Sequence, residues 1–168
     1  MRRRFLCTGA LSLFLAAMVL PVTTVAAAST GGVVFRDVTV TAAKAGGDSA
    51  VIMTITNDTK GPISLTTVTS AVSRMSMIYY DDNMCQGNHA MSWLANIFIE
   101  PRHTQVLALK YQGAMLGNLR GALVKGSTVP IEVKWSNLSS AHVLTVNAKV
   151  IAPPKGLHFL MSSMNMKM

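Results

Sequence analysis

Sulfur-bearing side chains are concentrated in two parts of this sequence. The chain has twelve methionines, and most of those after residue 28 fall into a central group and a C-terminal group. The central group contains Met75, Met77, Met84, Cys85, His89 and Met91, with Met115 downstream, and the C-terminal group contains His158, Met161, Met164, Met166 and Met168. Thioether sulfur is a poor ligand for magnesium, calcium or zinc but suits monovalent copper, and imidazole suits both copper oxidation states. These residue types therefore predict copper binding, with Cu(I) as the preferred ion.

Packing is the alternative explanation for each methionine, because this flexible side chain also fills irregular gaps in protein cores. For the central group both explanations stay open. The C-terminal group differs, because its methionines lie among Ser, Asn and Lys after Pro153 and Pro154, where no strand or helix face is available to bury them. The composition of this segment favours a role in metal binding.

The first 28 residues have the pattern of an export signal. Three arginines precede an apolar stretch that runs from Phe5 to Leu20, and three alanines end at Ala28, after which we expect cleavage. The apolar stretch is short for a membrane span, so we expect a mature protein that does not cross the membrane and is periplasmic or secreted. The run that begins at Arg2 also fits a twin-arginine signal. The sequence thus predicts a signal peptide over 1–28, one domain over 29–152 and a flexible tail over 153–168.

Loss of the leader would leave Cys85 as the only cysteine, which excludes a disulfide within the mature chain. Cys85 is then a small buried side chain, a reactive thiol or a metal ligand, and the neighbouring Met84 and His89 favour the ligand. Twelve basic residues remain against seven acidic ones, a net charge of about +5. The basic residues are scattered singly, which excludes nucleic acid as a partner.

Short segments with an apolar period of two predict an all-β fold, namely an antiparallel β-sandwich. Trp93 and Trp135 fall within these segments and are expected in the core. No paired carboxylates or nucleophile–base motif is present, so we expect a binding protein and not an enzyme. The predicted strands are Val33–Thr41, Ala50–Thr56, Ile63–Thr69, Met75–Tyr80, Met91–Ile99, Gln105–Tyr111, Val129–Trp135 and Val143–Val150.

Three segments resemble the periplasmic copper chaperones of the PCuAC family. They are the strand 50–57 that ends in Asn57, the Gly-x-x-x-Met element 87–91, and the strand 129–135 that begins Val-Pro-Ile. The resemblance covers about residues 39–150 and implies a cupredoxin-like β-sandwich that carries copper.

The copper motif of that family is a His, a Met eleven positions later, and a His-x-Met after twenty-one further residues. Anchored on Met91, the motif places its histidines at Tyr80 and Gly113 and its second methionine at Met115. The resemblance therefore implies Met91 and Met115 as ligands that approach each other at one end of the sandwich. Glycine has no donor, and phenol is a hard partner for Cu(I). Either Met77, His89 or Cys85 completes the site, or the tail does, or metal binding has been lost.

The leading hypothesis is an exported copper-binding protein that delivers Cu(I) to a membrane oxidase or another copper protein, or buffers it. The alternative is a metal-free β-sandwich that serves as a binding or interaction module of the cell envelope, with methionines that only pack. The alternative predicts Met75, Met77 and Met91 all buried on the core face.

Overall fold

A computed structural model describes residues 27–81, 91–108 and 111–154, and these ranges contain strands and loops without a helix. No helix in the described ranges could therefore span a membrane. The predicted all-β class is confirmed. The strands are β1 (Ala28–Thr30), β2 (Val33–Thr41), β3 (Ser49–Asn57), β4 (Ile63–Thr69), β5 (Ser73–Asp81), β6 (Met91–Leu94), β7 (Ile97–Ile99), β8 (Thr104–Leu107), β9 (Gln112–Leu119), β10 (Thr128–Ser136) and β11 (Ala141–Ile151).

The strands form one strongly curved sheet in the order β6-β5-β9-β3-β2-β11-β10-β4-β7, with β1 added to β2 and β8 added to β3. All pairs are antiparallel except β11 with β2, which run parallel. The predicted antiparallel pairing therefore holds for every other strand pair of the described residues. The sheet curls until β4 lies beside β5, and Met77 and Trp93 help to line a cleft of about 230 Å³ between these two strands.

The main core lies inside this curved sheet. Alternate residues of β2, β3, β10 and β11 face inward, as expected for strands with one solvated face. Phe35 and Trp135 pack at its centre with their ring centroids 5.1 Å apart and their planes tilted by 57°. Trp135 is 2% exposed and Trp93 is 59% exposed, so core packing is confirmed for Trp135 and wrong for Trp93. Trp93 lies on β6, a four-residue strand at the edge of the sheet.

Some strand boundaries differ from the predicted ones. The predicted strand 91–99 is divided into β6 and β7, and the predicted strand 105–111 ends at Leu107. Two strands, β1 and β9, are absent from the prediction. β9 is buried over its five consecutive residues 113–117 and contains Gly113 and Gly117, so it shows neither the alternation nor the composition by which a strand is usually recognised. The missed strand is the one that carries Met115.

Asn57 ties the end of β3 to the loop before β4 and to the end of β7. Its side chain is fully buried, and its amide nitrogen lies within hydrogen-bonding distance of the carbonyl oxygens of Gly61, Ile99 and Glu100, at 2.9, 2.9 and 3.2 Å. Its carbonyl oxygen accepts hydrogen bonds from the backbone N–H and the hydroxyl of Thr59. One buried amide therefore satisfies polar groups of two segments, residues 59–61 and 99–100.

Replacing Asn57 with Ala should lower the free energy of unfolding by about 3 kcal/mol or more, because several buried polar groups lose their partner together. Urea denaturation measures the loss. The matched control is Asn137→Ala, which removes similar contacts to Ser139 and Ser140 in an exposed turn and should cost about 1 kcal/mol or less. Equal losses in the two variants would contradict the role assigned to Asn57.

Candidate soft-metal site

Two methionines lie directly opposite each other in the pairing of β5 with β9. Met77 is the register partner of Met115, so their side chains lie on the same face of the sheet. Met77 is 6% exposed and Met115 is 4% exposed. With Tyr79 they form a small apolar cluster that is separate from the main core. We call Met77 and Met115 the thioether pair.

A glycine lies on each side of the thioether pair along β9, and a large β5 side chain lies over each glycine. Gly117 is opposite Met75, and a Cβ atom at residue 117 would lie 2.7 Å from Cγ and 3.2 Å from Sδ of Met75. Gly113 is opposite Tyr79, and a Cβ atom at residue 113 would overlap the phenol ring. The side chains of Met75 and Tyr79 thus border the thioether pair along the strands.

Tyr79 is a member of this cluster that the sequence did not reveal. It is 2% exposed, and its hydroxyl donates a hydrogen bond of 3.5 Å to the carbonyl oxygen of Ala108. The family motif pointed to its neighbour Tyr80, but Tyr80 is opposite Gln112 and therefore lies on the other face of the sheet from Met115. The period of two along β5 would have identified Tyr79 if β9 had been recognised as its partner.

Met91 begins β6, where its backbone is the register partner of Asp81. Asp81 is four residues from Met77 along β5, and β6 and β9 flank β5 on opposite sides. The Met91 backbone is thus displaced from that of Met115 by about 13 Å along the strands and about 10 Å across them. Met77, and not Met91, is the residue paired with Met115. The side chain of Met91 lies outside the described part of the structure, so the approach of its sulfur to that of Met115 stays a prediction.

The other residues expected to bind metal lie outside the described ranges, so their participation also stays a prediction. They are Cys85, His89, His158, Met161, Met164, Met166 and Met168. Within the described ranges, no group of three His, Cys, Asp or Glu side chains is placed to hold a metal ion. The donors that the described chain does bring together are two thioethers, which are soft, uncharged ligands.

The end of β11 lies level with the thioether pair when neighbouring strands are followed across the sheet. Ile151 is the register partner of Thr41, whose hydroxyl accepts a hydrogen bond of 2.9 Å from the backbone N–H of Ala50. Ala50 is in turn the register partner of Met115. The chain therefore leaves the sheet three strand spacings, or about 14 Å, from Met115.

The fold is shared with solved copper-domain structures. The copper-bound PCuAC domain of PmoF2 superimposes with a TM-score of 0.63 at 17% identity and covers 76% of this chain and 99% of that domain. The PCuAC domain of PmoF1 in its apo form gives a TM-score of 0.62 at 16% identity, over 76% of this chain and all of that domain. The Cu(I)-bound protein DR1885 of Deinococcus radiodurans gives 0.54 at 28% identity, over 68% of this chain and 74% of that one.

These neighbours define the class as a cupredoxin-like domain of the PCuAC type, which confirms the resemblance found in the sequence. The LpqE-like family model, named for a lipoprotein, matches residues 33–150. The chain belongs to this LpqE-like family. No curated relative matches it.

A Cβ atom at residue 113 would overlap Tyr79, so an added methyl group there should destabilise the fold. Gly113→Ala should lower the free energy of unfolding by about 1–3 kcal/mol, because the buried ring or the strand must shift. Gly121→Ala is the matched control, since a Cβ atom there has no neighbour within 4 Å, and its effect should be below about 0.5 kcal/mol. Chemical denaturation of the two variants measures both values, and a neutral Gly113→Ala would show that Tyr79 does not occupy this space.

Proposed function

We propose that this chain is an exported copper-binding protein that holds Cu(I) and either buffers it or delivers it to a membrane oxidase or another copper protein. The observation that carries this proposal is the thioether pair: two soft donors at directly opposed positions of a PCuAC-type sheet. Met115 also occupies the position of a methionine in the copper motif that the family resemblance implies.

The donors present fit monovalent copper and do not fit harder metal ions. Thioethers bind Cu(I) but are poor ligands for magnesium, calcium and zinc. Met77 and Met115 are nearly buried, so bound Cu(I) would be shielded from water. Met77 also belongs to the lining of the cleft between β4 and β5. Copper here is cargo that the protein receives and releases.

Two thioethers leave the coordination of Cu(I) incomplete, and we propose that further donors come from elsewhere in the chain. The candidates are Met91 in β6, Cys85 and His89 in the segment before it, and the tail donors, which are His158, Met161, Met164, Met166 and Met168. The length of the tail is sufficient for its donors to reach the thioether pair. Met161 is ten residues beyond Ile151, and an extended chain of that length spans about 30 Å, roughly twice the distance from Ile151 to Met115.

Export of the chain is part of the same proposal. The leader over residues 1–28 has the basic, apolar and small-residue regions of an export signal, and the LpqE-like family is named for a lipoprotein. Both observations support a location outside the cytoplasm, where Cu(I) would be handed from one copper protein to another. The proposed acceptor, a membrane oxidase or another copper protein, is inferred from the preference of thioethers for Cu(I).

A metal-free binding module is the second candidate function. It is favoured by the burial of Met77 and Met115, since two nearly buried thioethers also serve as packing. A metal-free module would have Met75, Met77 and Met91 all buried on the core face. Met75 is 42% exposed, which does not agree with that expectation. The two functions differ in whether removal of the sulfurs changes copper affinity.

The Met77→Leu/Met115→Leu double variant should bind Cu(I) at least about tenfold more weakly than the wild type, a loss of about 1.4 kcal/mol. Leucine preserves apolar character and approximate volume, so folding should persist. Anaerobic titration of the mature protein against a competing Cu(I) chelator measures the affinity. The matched control is Met53→Leu, which alters a fully buried methionine of the main core and should leave the affinity within about twofold. Equal affinities of the double variant and the wild type would favour the metal-free module.

Deletion of the chain after Pro154 should weaken Cu(I) binding by about tenfold or more if the tail completes the site. The tail loses conformational freedom when it binds, so its contribution should depend on the donors and not on length alone. The same titration measures the effect. A full-length control in which the four tail methionines and His158 are replaced by Ser should match the deletion. Unchanged affinity and stoichiometry would assign completion of the site to Met91, Cys85 or His89.

A further inference from the structure

Basic side chains that are far apart in the sequence lie together at one end of the curved sheet. This end is formed by the β2–β3, β4–β5 and β9–β10 connections and by the strand ends beside them. The N–H of Arg120 donates a hydrogen bond of 2.8 Å to the carbonyl oxygen of Val72, which joins the β9–β10 connection to the β4–β5 connection. The N–H of Ala42 donates one of 2.8 Å to Ile151, which joins the β2–β3 connection to the end of β11. The cations of this surface, which we call the basic end, are all exposed, and they are Lys44, Arg74, Arg120, Lys125 and Lys149.

The charge at the basic end is unbalanced. In the described residues of the three connections and of the adjoining strand ends, Asp48 is the only carboxylate, and it accepts a hydrogen bond of 3.1 Å from the backbone N–H of Asn118. The described connections at the opposite end of the sheet are neutral in sum, and their charged residues are Asp58, Lys60, Glu100 and Arg102. The fold therefore concentrates at one end positive charge that is dispersed along the sequence, and such a surface attracts anions.

An exposed aliphatic side chain lies among these cations. Val124 belongs to the β9–β10 connection, which crosses the basic end, and it is 65% exposed. The preceding Leu123 is buried and exchanges two backbone hydrogen bonds with Ala43, so the connection is fixed in place with Val124 on its outer side. Lys125 follows directly. Affinity for a membrane surface increases both with the apolar area that enters it and with attraction to anionic headgroups, and the basic end offers both.

We infer that the basic end is a docking surface for a membrane that contains anionic phospholipids, with its cations on the headgroups and Val124 at the boundary of the acyl chains. Protein interfaces are usually centred on aromatic anchors, and single-stranded nucleic acids are held by stacking on aromatic rings. The described segments of the basic end contain no aromatic residue, which favours a lipid surface over both. The inference goes beyond the proposed function, because docking requires no bound copper.

Sedimentation of the mature protein with phospholipid vesicles tests the inference. Vesicles of phosphatidylcholine and phosphatidylglycerol in equal amounts should bind it at least about tenfold more tightly than phosphatidylcholine alone. Arg120→Gln/Lys125→Gln should weaken binding to the anionic vesicles by at least about tenfold, since each basic residue near such a surface contributes about fivefold. The matched control is Lys60→Gln/Arg102→Gln, which makes the same change in net charge at the opposite end. It should keep the affinity within about threefold, because those cations lie away from the headgroups.

Val124→Asp tests the apolar contact separately. It places a negative charge where the acyl chains begin and should weaken binding to the anionic vesicles by at least about tenfold. The matched control is Leu138→Asp, which makes the same kind of change at a residue that is 92% exposed in the β10–β11 turn at the opposite end. This control should keep the affinity within about threefold. All the variants alter exposed residues, so each should keep the wild-type melting temperature.

Equal losses of affinity in a variant and its matched control would overturn the inference, because net charge and not the basic end would then determine binding. Equal affinity for vesicles with and without phosphatidylglycerol would overturn it as well. Tighter binding to double-stranded DNA or to polyglutamate than to the anionic vesicles would also overturn it, and would assign the basic end to a different polyanion.

Discussion

The pairing of β9 with β5 is the constraint on which the candidate site depends. Its register sets Met77 against Met115, Met75 against Gly117 and Tyr79 against Gly113. A shift of the register by one residue would move every side chain of one strand to the opposite face of the sheet. The register is held by burial, since residues 113–117 of β9 are buried on both faces and a shifted strand would have to repack both.

Glycine contributes to this arrangement because it leaves room for its large neighbours. At 113 and 117 the missing side chains allow a tyrosine and a methionine of β5 to lie across β9, so the sheet remains packed where a strand would otherwise be weakened. Gly113 is also a position at which the copper motif implied by the resemblance has a histidine. Tyr79 packs over this glycine, and the soft side chains that the described residues bring together are those of Met77 and Met115.

The sequence was sufficient to predict the β class, the bounds of β2 and β4 and the core role of Trp135, because those features depend on local alternation and on residue type. The soft-metal chemistry indicated by the methionines, with Met115 as a ligand, stays a prediction. It did not identify β9, because burial on both faces removes the alternation and two glycines imitate turns. Without β9, the pairing of Met77 with Met115 and the position of Tyr79 beside them could not be predicted. Register across strands depends on the whole sheet, and no local pattern specifies it.

We propose that Met77 and Met115 together receive the metal ion. The most direct measurement is nuclear magnetic resonance of the mature protein with ¹³C-labelled methionine methyl groups, titrated with Ag(I) as a redox-inert substitute for Cu(I), with assignments from single Met→Leu variants. The methyl signals of Met77 and Met115 are expected to shift together and to saturate at one equivalent, while that of Met53 in the main core stays in place. Signals of Met77 and Met115 that stay in place while other methionines titrate would contradict it.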